Sequence, residues 1–524
     1  MVVTAQQGPV IRIGSAQGKW ILLTTVLGSS MALLDSTVVN VALPRMGEDL
    51  DANLAALQWT VNAYLITLAG LILLGGSLGD HFGRRKVFVI GVIWFASASL
   101  LCGLAPSSGI LIAARALQGI GGALLTPGSL ALIQASFHPD DRSRAVGLWS
   151  GFGGIGAAIG PFLGGWLVDG PGWRWVFFLN VPLAVLCVPI AVRHVPESIG
   201  GPLPSRESPG SSEAGGAGGA ESGEGRFHGH FDVLGAALGA VALALVTYAL
   251  IEAGSGSSIV AVTAVAGLAA GVAFVYVEKR SPDPMMPLDI FASRQFTSVN
   301  LVTFCVYAAF GGFFFLTALQ LQVVAGYSPL RAGTALLPTT VLMLLFSSRS
   351  GALAERIGPR IPLTVGPLLC AGGMLLMLRV GKGASYLAEV LPAVLVMGVG
   401  MVTLVAPLTS TVLASVDTNR AGLASGINNA AARAAGLIAV AALPVLTGMG
   451  PEAYRSPDAF DAAFRRAMPL SAAVLVVGAV LAFATVRRPA PECRRPQCHT
   501  HSCVTAPPLE PPRGTGAVKP DPAS

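Results

Sequence analysis

Three ionisable side chains stand well inside long apolar runs of this sequence. Asp35 lies in ILLTTVLGSSMALLDSTVVNVAL, Arg115 in ILIAARALQGIGGALL and Arg433 in NNAAARAAGLIAV. A charged group in such a run is costly, and it normally faces a partner or a water-filled interior. A carboxylate and a guanidinium together are suited to holding and releasing a proton. Desolvation favours the neutral acid and a neighbouring cation the charged one, so access to water decides whether the proton stays. Gln118, one turn beyond Arg115, lies in the same run, Leu111-x3-Arg115-x2-Gln118-Gly119-x-Gly121. No histidine lies within an apolar run and no metal-ligand pair is spaced along one. A membrane-embedded enzyme lacks its usual groups here. No Gly-x4-Gly-Lys-Ser/Thr loop is present, which excludes a nucleotide-driven pump of that kind.

These residues need helices to hold them. The chain has 524 residues, 53% hydrophobic and only 11% charged, whereas soluble domains are about 25% charged. The class is an integral membrane protein. A bilayer-spanning helix needs about 20 apolar residues. Such runs fall at 21–43, 57–77, 87–105, 110–134, 145–168, 174–192, 232–251, 258–277, 298–322, 332–350, 361–378, 386–411, 422–448 and 468–486. The expectation is an all-α membrane protein of 14 transmembrane helices. Asp35 sits roughly 12 Å short of the outer end of its run and Arg115 roughly 8 Å below the same surface, so an Asp35–Arg115 pair is geometrically open to them. Arg115 either makes that pair or reaches to the outer surface.

Lys and Arg concentrate on one set of alternating loops, including Lys19, Arg84-Arg85-Lys86, Arg142, Arg144, Lys279, Arg280, Arg356 and Arg360. The positive-inside rule then puts both termini in the cytoplasm. The net charge of +6 faces lipid and calls for no nucleic acid. Residues 1–20 read as a cytoplasmic N-terminus, 193–231 as a flexible Gly/Ser/Glu-rich linker and 487–524 as a disordered cytoplasmic tail. Cys493, Cys498, His499, His501 and Cys503 in that tail fit no structural zinc spacing. Residues 21–192 form a six-helix half, 232–277 an extra pair, and 298–486 a second half.

An internal repeat supports the halves. Gly76-Ser-Leu-Gly-Asp80-His81-Phe-Gly83-Arg84-Arg85 matches Gly351-Ala-Leu-Ala-Glu355-Arg356-Ile-Gly358-Pro-Arg360, each at a cytoplasmic turn between the second and third spans of its half. Parallel halves around a central site are a transporter architecture. The 76–85 loop resembles the signature of the major facilitator superfamily, and fourteen spans with a central pair resemble its drug:proton antiporter branch. The resemblance covers about residues 20–486, with His81 where the family usually has Arg. It implies the major facilitator fold, a conformational gate at Gly76, Asp80, Gly83, Arg84 and Arg85, and a weaker counterpart at Glu355, Arg356 and Arg360.

Gly147, Gly156, Gly160, Pro161, Gly164 and Gly165 in the fifth span resemble the motif of the family's exporters. Glycines so spaced allow close helix approach. The runs around Asp35 and Arg115 resemble the branch's first- and fourth-helix motifs, and Ser425–Gly436 resembles the same branch. The resemblance implies Asp35, Arg115, Gln118 and Arg433 in proton coupling or substrate contact, with Arg433 alternatively only positioning its helix. Gln58, Asn62, Tyr64, Gln320, Gln322, Asn428 and Asn429 either line a cavity or bond helix to helix, and Phe310–Phe315 meets either lipid or a greasy substrate. Trp173-Arg174-Trp175 reads as an interfacial anchor, and Pro451–Arg466 as a short surface helix.

The implied function is a non-enzymatic, proton-coupled antiporter, monomeric in a bacterial inner membrane. It needs no cofactor beyond the proton gradient. A proton from outside would neutralise Asp35 and favour turning inward, and a cationic or polar substrate would displace it. The substrate is a hydrophobic small molecule such as a drug or antibiotic; with one central acid, neutral and monocationic compounds both fit. The alternatives are an exporter of one endogenous metabolite and, against the fifth-span glycines, a nutrient importer.

Overall fold

In hydrocarbon every backbone N–H and C=O must be satisfied within its own segment, which makes helices the outcome for runs this apolar. A computed structural model describes residues 11–199, 232–255, 257–281, 284–416, 420–450 and 456–487. Most of the linker and the whole Cys/His-containing tail beyond 487 lie outside the described residues. Fourteen long helical segments follow one another. The first half comprises α1 (Ala16–Asp49), α2 (Leu54–Phe82), α3 (Arg84–Gly103), α4 (Ser108–Ser136), α5 (Pro139–Asp169) and α6 (Trp175–His194, broken at Leu179). The central pair is α7 (Val233–Ile251) and α8 (Ser258–Arg280). The second half comprises α9 (Arg294–Val324), α10 (Pro329–Ala335 and Leu337–Ile357 in tandem), α11 (Arg360–Arg379), α12 (Tyr386–Ala414), α13 (Ala421–Leu446) and α14 (Pro457–Thr485).

Among the described residues thirteen of these are long and apolar enough to cross a membrane. The remaining one, α5, is glycine-rich and begins with Asp140, Asp141, Arg142 and Arg144. Side-chain caps set several starts: Ser15 accepts from the Gly18 N–H at 3.0 Å and Asn53 from Ala56 at 2.9 Å. A cap of this kind satisfies one of the four donors that a helix start leaves free.

The packing pattern of the first half recurs in the second. In the first, α2 and α3 both pack on α4, α1 packs on α5, and α6 lies against α1 and α3. In the second, α10 and α11 pack on α12, α9 on α13, and α14 lies against α9 and α11. The repeat loops also agree in detail. Gly83 (φ 106°) closes α2 and Gly358 (φ 88°) closes α10, each donating its N–H four residues back, to Gly79 and Ala354. A side chain at either positive φ would be strained, so glycine is the residue for both stops.

The halves meet along α2–α13, α5–α10 and α1–α9. The pair α7–α8 docks through α7 against α2 and α13. Val262, Val265, Leu268 and Val272 on α8 are 66–71% exposed, as lipid-facing residues would be.

Two expectations need correction. Residues 457–466 do not form a separate surface helix: they are the first turns of α14, and Phe460 and Phe464 are buried. Their charged neighbours are stabilised beyond the apolar layer, Asp461 with Arg465 at 2.7 Å and Asp458 with Lys382 at 2.6 Å. The first helix does not stop at Leu43 but continues through Pro44 to Asp49.

Candidate functional site

Helix α1 carries Asp35 on its inward face, and α4 carries Arg115 and Gln118 on one face, three residues apart. The structure brings all three together. Arg115 Nη1 donates to Asp35 Oδ2 at 2.5 Å and to Gln118 Oε1 at 2.7 Å, and Gln118 Nε2 donates to Asp35 Oδ1 at 2.8 Å. Arg115 Nε donates to the Thr60 carbonyl on α2 at 3.1 Å. Asn180 on α6 donates to Asp35 Oδ1 at 3.4 Å and to Ser99 Oγ on α3 at 3.0 Å. The guanidinium lies 4.3 Å over the Tyr64 ring and 5.9 Å from that of Phe177. The two charged side chains are 0–1% exposed, so Arg115 does not reach for the outer surface. An enclosed pair endures only when its other polar atoms find partners; here both Asp35 oxygens and the Arg115 Nε and Nη1 donors have them. The network ties five of the six helices of the first half to one carboxylate.

Sequence reading missed three parts of this site. Ser99 had no signal, being one serine in an alternating small-residue run. Thr60 contributes only a carbonyl. Asn180 was discernible as a polar residue opening an apolar helix, in Asn-Val-Pro.

At the opposite end of α2, Asp80 pairs with Arg84 at 2.8 Å across the Gly83 turn. The unforeseen member here is Glu197, just beyond α6. Its carboxylate accepts the Arg85 backbone N–H at 3.0 Å and lies 3.5 Å from the Arg85 side chain. Arg85 Nη1 also donates to the Val195 carbonyl at 3.0 Å, and the Arg84 N–H to Ser198 at 2.9 Å. A Cβ on Gly83 would stand 2.7 Å from Glu197 Oε1. Gly76 leaves room toward Pro127 of α4, 3.7 Å from a notional Cβ. In the second-half loop, Arg360 donates to the Phe483 carbonyl at 2.7 Å.

The α5 glycines divide. Gly156 faces Ser30 at 3.1 Å, Gly160 faces Thr37, and Gly164 faces Val38 at 2.8 Å, all on α1 and all measured from a notional Cβ. Gly165 faces the backbone of Leu330 at 2.5 Å, and Gly333 of α10 abuts the Pro161 carbonyl. These positions let the two halves meet at the C-terminal end of α5 and the start of α10, where Asp169 also accepts the Leu330 N–H at 2.9 Å. Gly147 is different: a Cβ there would meet nothing within 4 Å.

Several polar positions join helices. Gln58 donates to the Val440 carbonyl at 2.6 Å, Gln322 to Val41 at 2.9 Å, Gln320 to Val380 at 2.9 Å, and Asn428 to Thr303 at 2.8 Å. Asn62 is buried with neither amide atom partnered. Phe310, Phe313 and Phe315 are buried in the core rather than facing lipid. Arg433 is not brought into the Asp35 network. It is partly buried on α13, close enough for its charge to act on Tyr64 and Tyr307. Among the described residues no three or more His, Cys, Asp or Glu side chains are grouped to hold a metal ion.

Comparison with known proteins agrees with this architecture. The family model described as Major Facilitator Superfamily matches residues 25–223 and 231–440. A puromycin resistance protein of Streptomyces alboniger is 34% identical over 484 residues, 89% of this chain and 91% of its own length. A tetracenomycin C resistance and export protein of Streptomyces glaucescens is 33% identical over 433 residues, covering 81% and 75%. Among solved structures, a bacterial homologue of the human lysosomal transporter Spinster superposes with a TM-score of 0.60 at 17% identity. It covers 91% of this chain and all of that one.

Proposed function

The chain belongs to the Major Facilitator Superfamily, and on that premise we propose that it exports hydrophobic small molecules, antibiotics among them, in exchange for protons. The observation that carries this reading is the enclosed Asp35–Arg115–Gln118 network. Among the described residues it is the one place where a carboxyl deep in the first half is wired to four neighbouring helices. With the carboxylate charged, α1 is held to α4 through Arg115 and Gln118, to α6 through Asn180, and through Arg115 to α2. A proton placed on Asp35 removes the ionic attraction and leaves the guanidinium to its stack on Tyr64 and its bond to Thr60. That loosens α1 against α4. Because α1 also carries the residues against which Gly156, Gly160 and Gly164 of α5 pack, the loosening passes to the contact of the halves at the C-terminal end of α5.

In this cycle a proton arriving from outside favours the turn inward and is released there, and a substrate bound from the cytoplasm favours the return. Asp80, Arg84, Arg85 and Glu197 steady the cytoplasmic end of α2 during that rocking. The relatives named for puromycin resistance and for tetracenomycin C resistance and export support the export direction and the drug-like substrate. No covalent chemistry is assigned to any residue. We place the protein as a monomer in the bacterial cytoplasmic membrane with both termini inside, needing no cofactor.

The test is expression in a bacterium lacking its own efflux pumps, challenged with a panel of antibiotics with and without a protonophore. Raised tolerance that the protonophore abolishes supports the reading. Tolerance unchanged for every compound, with the protein present in the membrane, contradicts it.

A further inference from the structure

Asp35 is poorly placed to receive a cationic substrate. Its Oδ2 is taken by Arg115, its Oδ1 by Gln118 and Asn180, and its side chain is fully enclosed. Among the described residues the other charged side chain named near this site is Arg433, and it differs in burial and in partners. Among the described residues no carboxylate lies within ion-pair distance of its guanidinium, and no hydrogen bond occupies it.

Its position follows from the contacts of α13. Helix α2 runs antiparallel to α13, with Gln58 bonded to Val440 and Leu73 against Gly426. That register sets Arg433 opposite Leu65 and Ile66, within about 3 Å along the axis of Tyr64. Helix α9 runs parallel to α13, with Asn428 bonded to Thr303 and Gly436 against Gly311, which sets Arg433 level with Ala308, next to Tyr307. Arg433 lies seven residues from Gly426, on the same face of α13, and so points toward α2. The seam is closed on its lipid side by α7, which follows α2 from Trp59 beside Tyr248 to Gly70 against Ala240. Arg433, part-exposed, therefore stands at the seam where α13 of the second half meets α2 of the first. Tyr64 links the two cations: its ring lies under Arg115 and its phenol is within the field of Arg433.

We infer that Arg433 is the substrate's anion-receiving group, and that the preferred substrates are hydrophobic acids: an apolar body bearing one carboxylate or acidic phenol. Asp35 and Arg115 cancel, so the site between the halves carries the uncompensated charge of Arg433. A guanidinium presents a planar fork of donors suited to a carboxylate or phenolate. A neutral compound gains nothing from that charge, and a cation is repelled by it. Exchange of one such anion outward for one proton inward moves two charges in the same direction. An interior-negative membrane potential then drives export directly. A monovalent cation exchanged for one proton would move none. This inference rests on the exporter reading above and revises the cationic or neutral substrate expected from the sequence.

The test uses the full-length protein and three fluorescent probes of one shape: anthracene carboxylate, anthracene carboxamide and aminomethylanthracene. Binding to the purified protein is read by fluorescence, and export into inside-out vesicles is read with and without a lumen-positive potassium diffusion potential. The carboxylate is expected to bind about tenfold or more tighter than the carboxamide, the amine weakest, since a charge-assisted bond carries at least that factor. Its export accelerates with the potential. Arg433→Gln collapses the carboxylate-to-carboxamide ratio to near one and Arg433→Lys restores part of it. Tightest binding of the amine, or an Arg433→Gln variant that weakens all three probes with the ratio preserved, overturns the proposal. Proton-dependent export of the carboxamide or the amine with the carboxylate refused overturns it too, while leaving the exporter reading intact. Preferential carboxylate binding without export of any probe supports the site and counts against the exporter reading.

Discussion

Removing Arg115 tests whether the Asp35 network is one unit. In Arg115→Leu the carboxylate loses its ionic partner and keeps only Gln118 and Asn180 as donors, at 2.8 and 3.4 Å. Breaking a buried pair from one side costs about 3–5 kcal/mol. The stack on Tyr64 is lost as well, worth about 2 kcal/mol for a desolvated cation over an aromatic ring, though the leucine recovers part of that as packing. Asp35→Asn alone leaves the guanidinium enclosed without a counter-charge, a cost of the same order. The double variant Asp35→Asn/Arg115→Leu leaves no charge behind, and replacing both partners of a buried pair is often close to neutral. The expected coupling in the double-mutant cycle is therefore at least about 2 kcal/mol. Unfolding titrations of the four proteins with sodium dodecyl sulfate in mixed micelles measure it. A double variant as unstable as the two single losses combined would refute the network as a unit.

Three further outcomes follow from the packing. Gly164→Ala drives a methyl into Val38 and should destabilise by about 1–3 kcal/mol, whereas Gly147→Ala meets open space and should be neutral or up to about 1 kcal/mol stabilising; the same titrations separate them. Glu197→Ala removes the acceptor of the Arg85 N–H, about one-third exposed at its side chain, so hydrogen exchange across 83–87 should quicken while global stability changes by less than about 1 kcal/mol. Gly333→Val forces a side chain against the Pro161 carbonyl, so an impermeant maleimide should label a cysteine placed at Leu330 several-fold faster than without it.

The span count was legible because helices in lipid are written as apolar length, and the repeat because both turns need a glycine at positive φ. The start of α14 was not, since the charges Asp458, Asp461, Arg465 and Arg466 set it apart from the apolar run as a separate surface helix; only the structure shows Asp461 and Arg465 bonded to the neighbouring Gln320 and Leu378. The common depth of Asp35 and Arg115 came from rise per residue alone. Whether they face each other depends on helix rotation, which the sequence does not carry. Asn180, Glu197 and the register that places Arg433 beside Tyr64 depend on contacts between distant segments, and no local pattern announces them.

The central claim is that Asp35 carries the exchanged proton. The direct measurement is export into inside-out vesicles under an imposed pH gradient, comparing wild type, Asp35→Glu and Asp35→Asn at matched amounts of folded protein, with gradient-free exchange recorded in parallel. The account predicts that Asp35→Asn still exchanges substrate downhill but gains nothing from the pH gradient, while Asp35→Glu keeps part of the response. An undiminished response to the gradient in Asp35→Asn would contradict it.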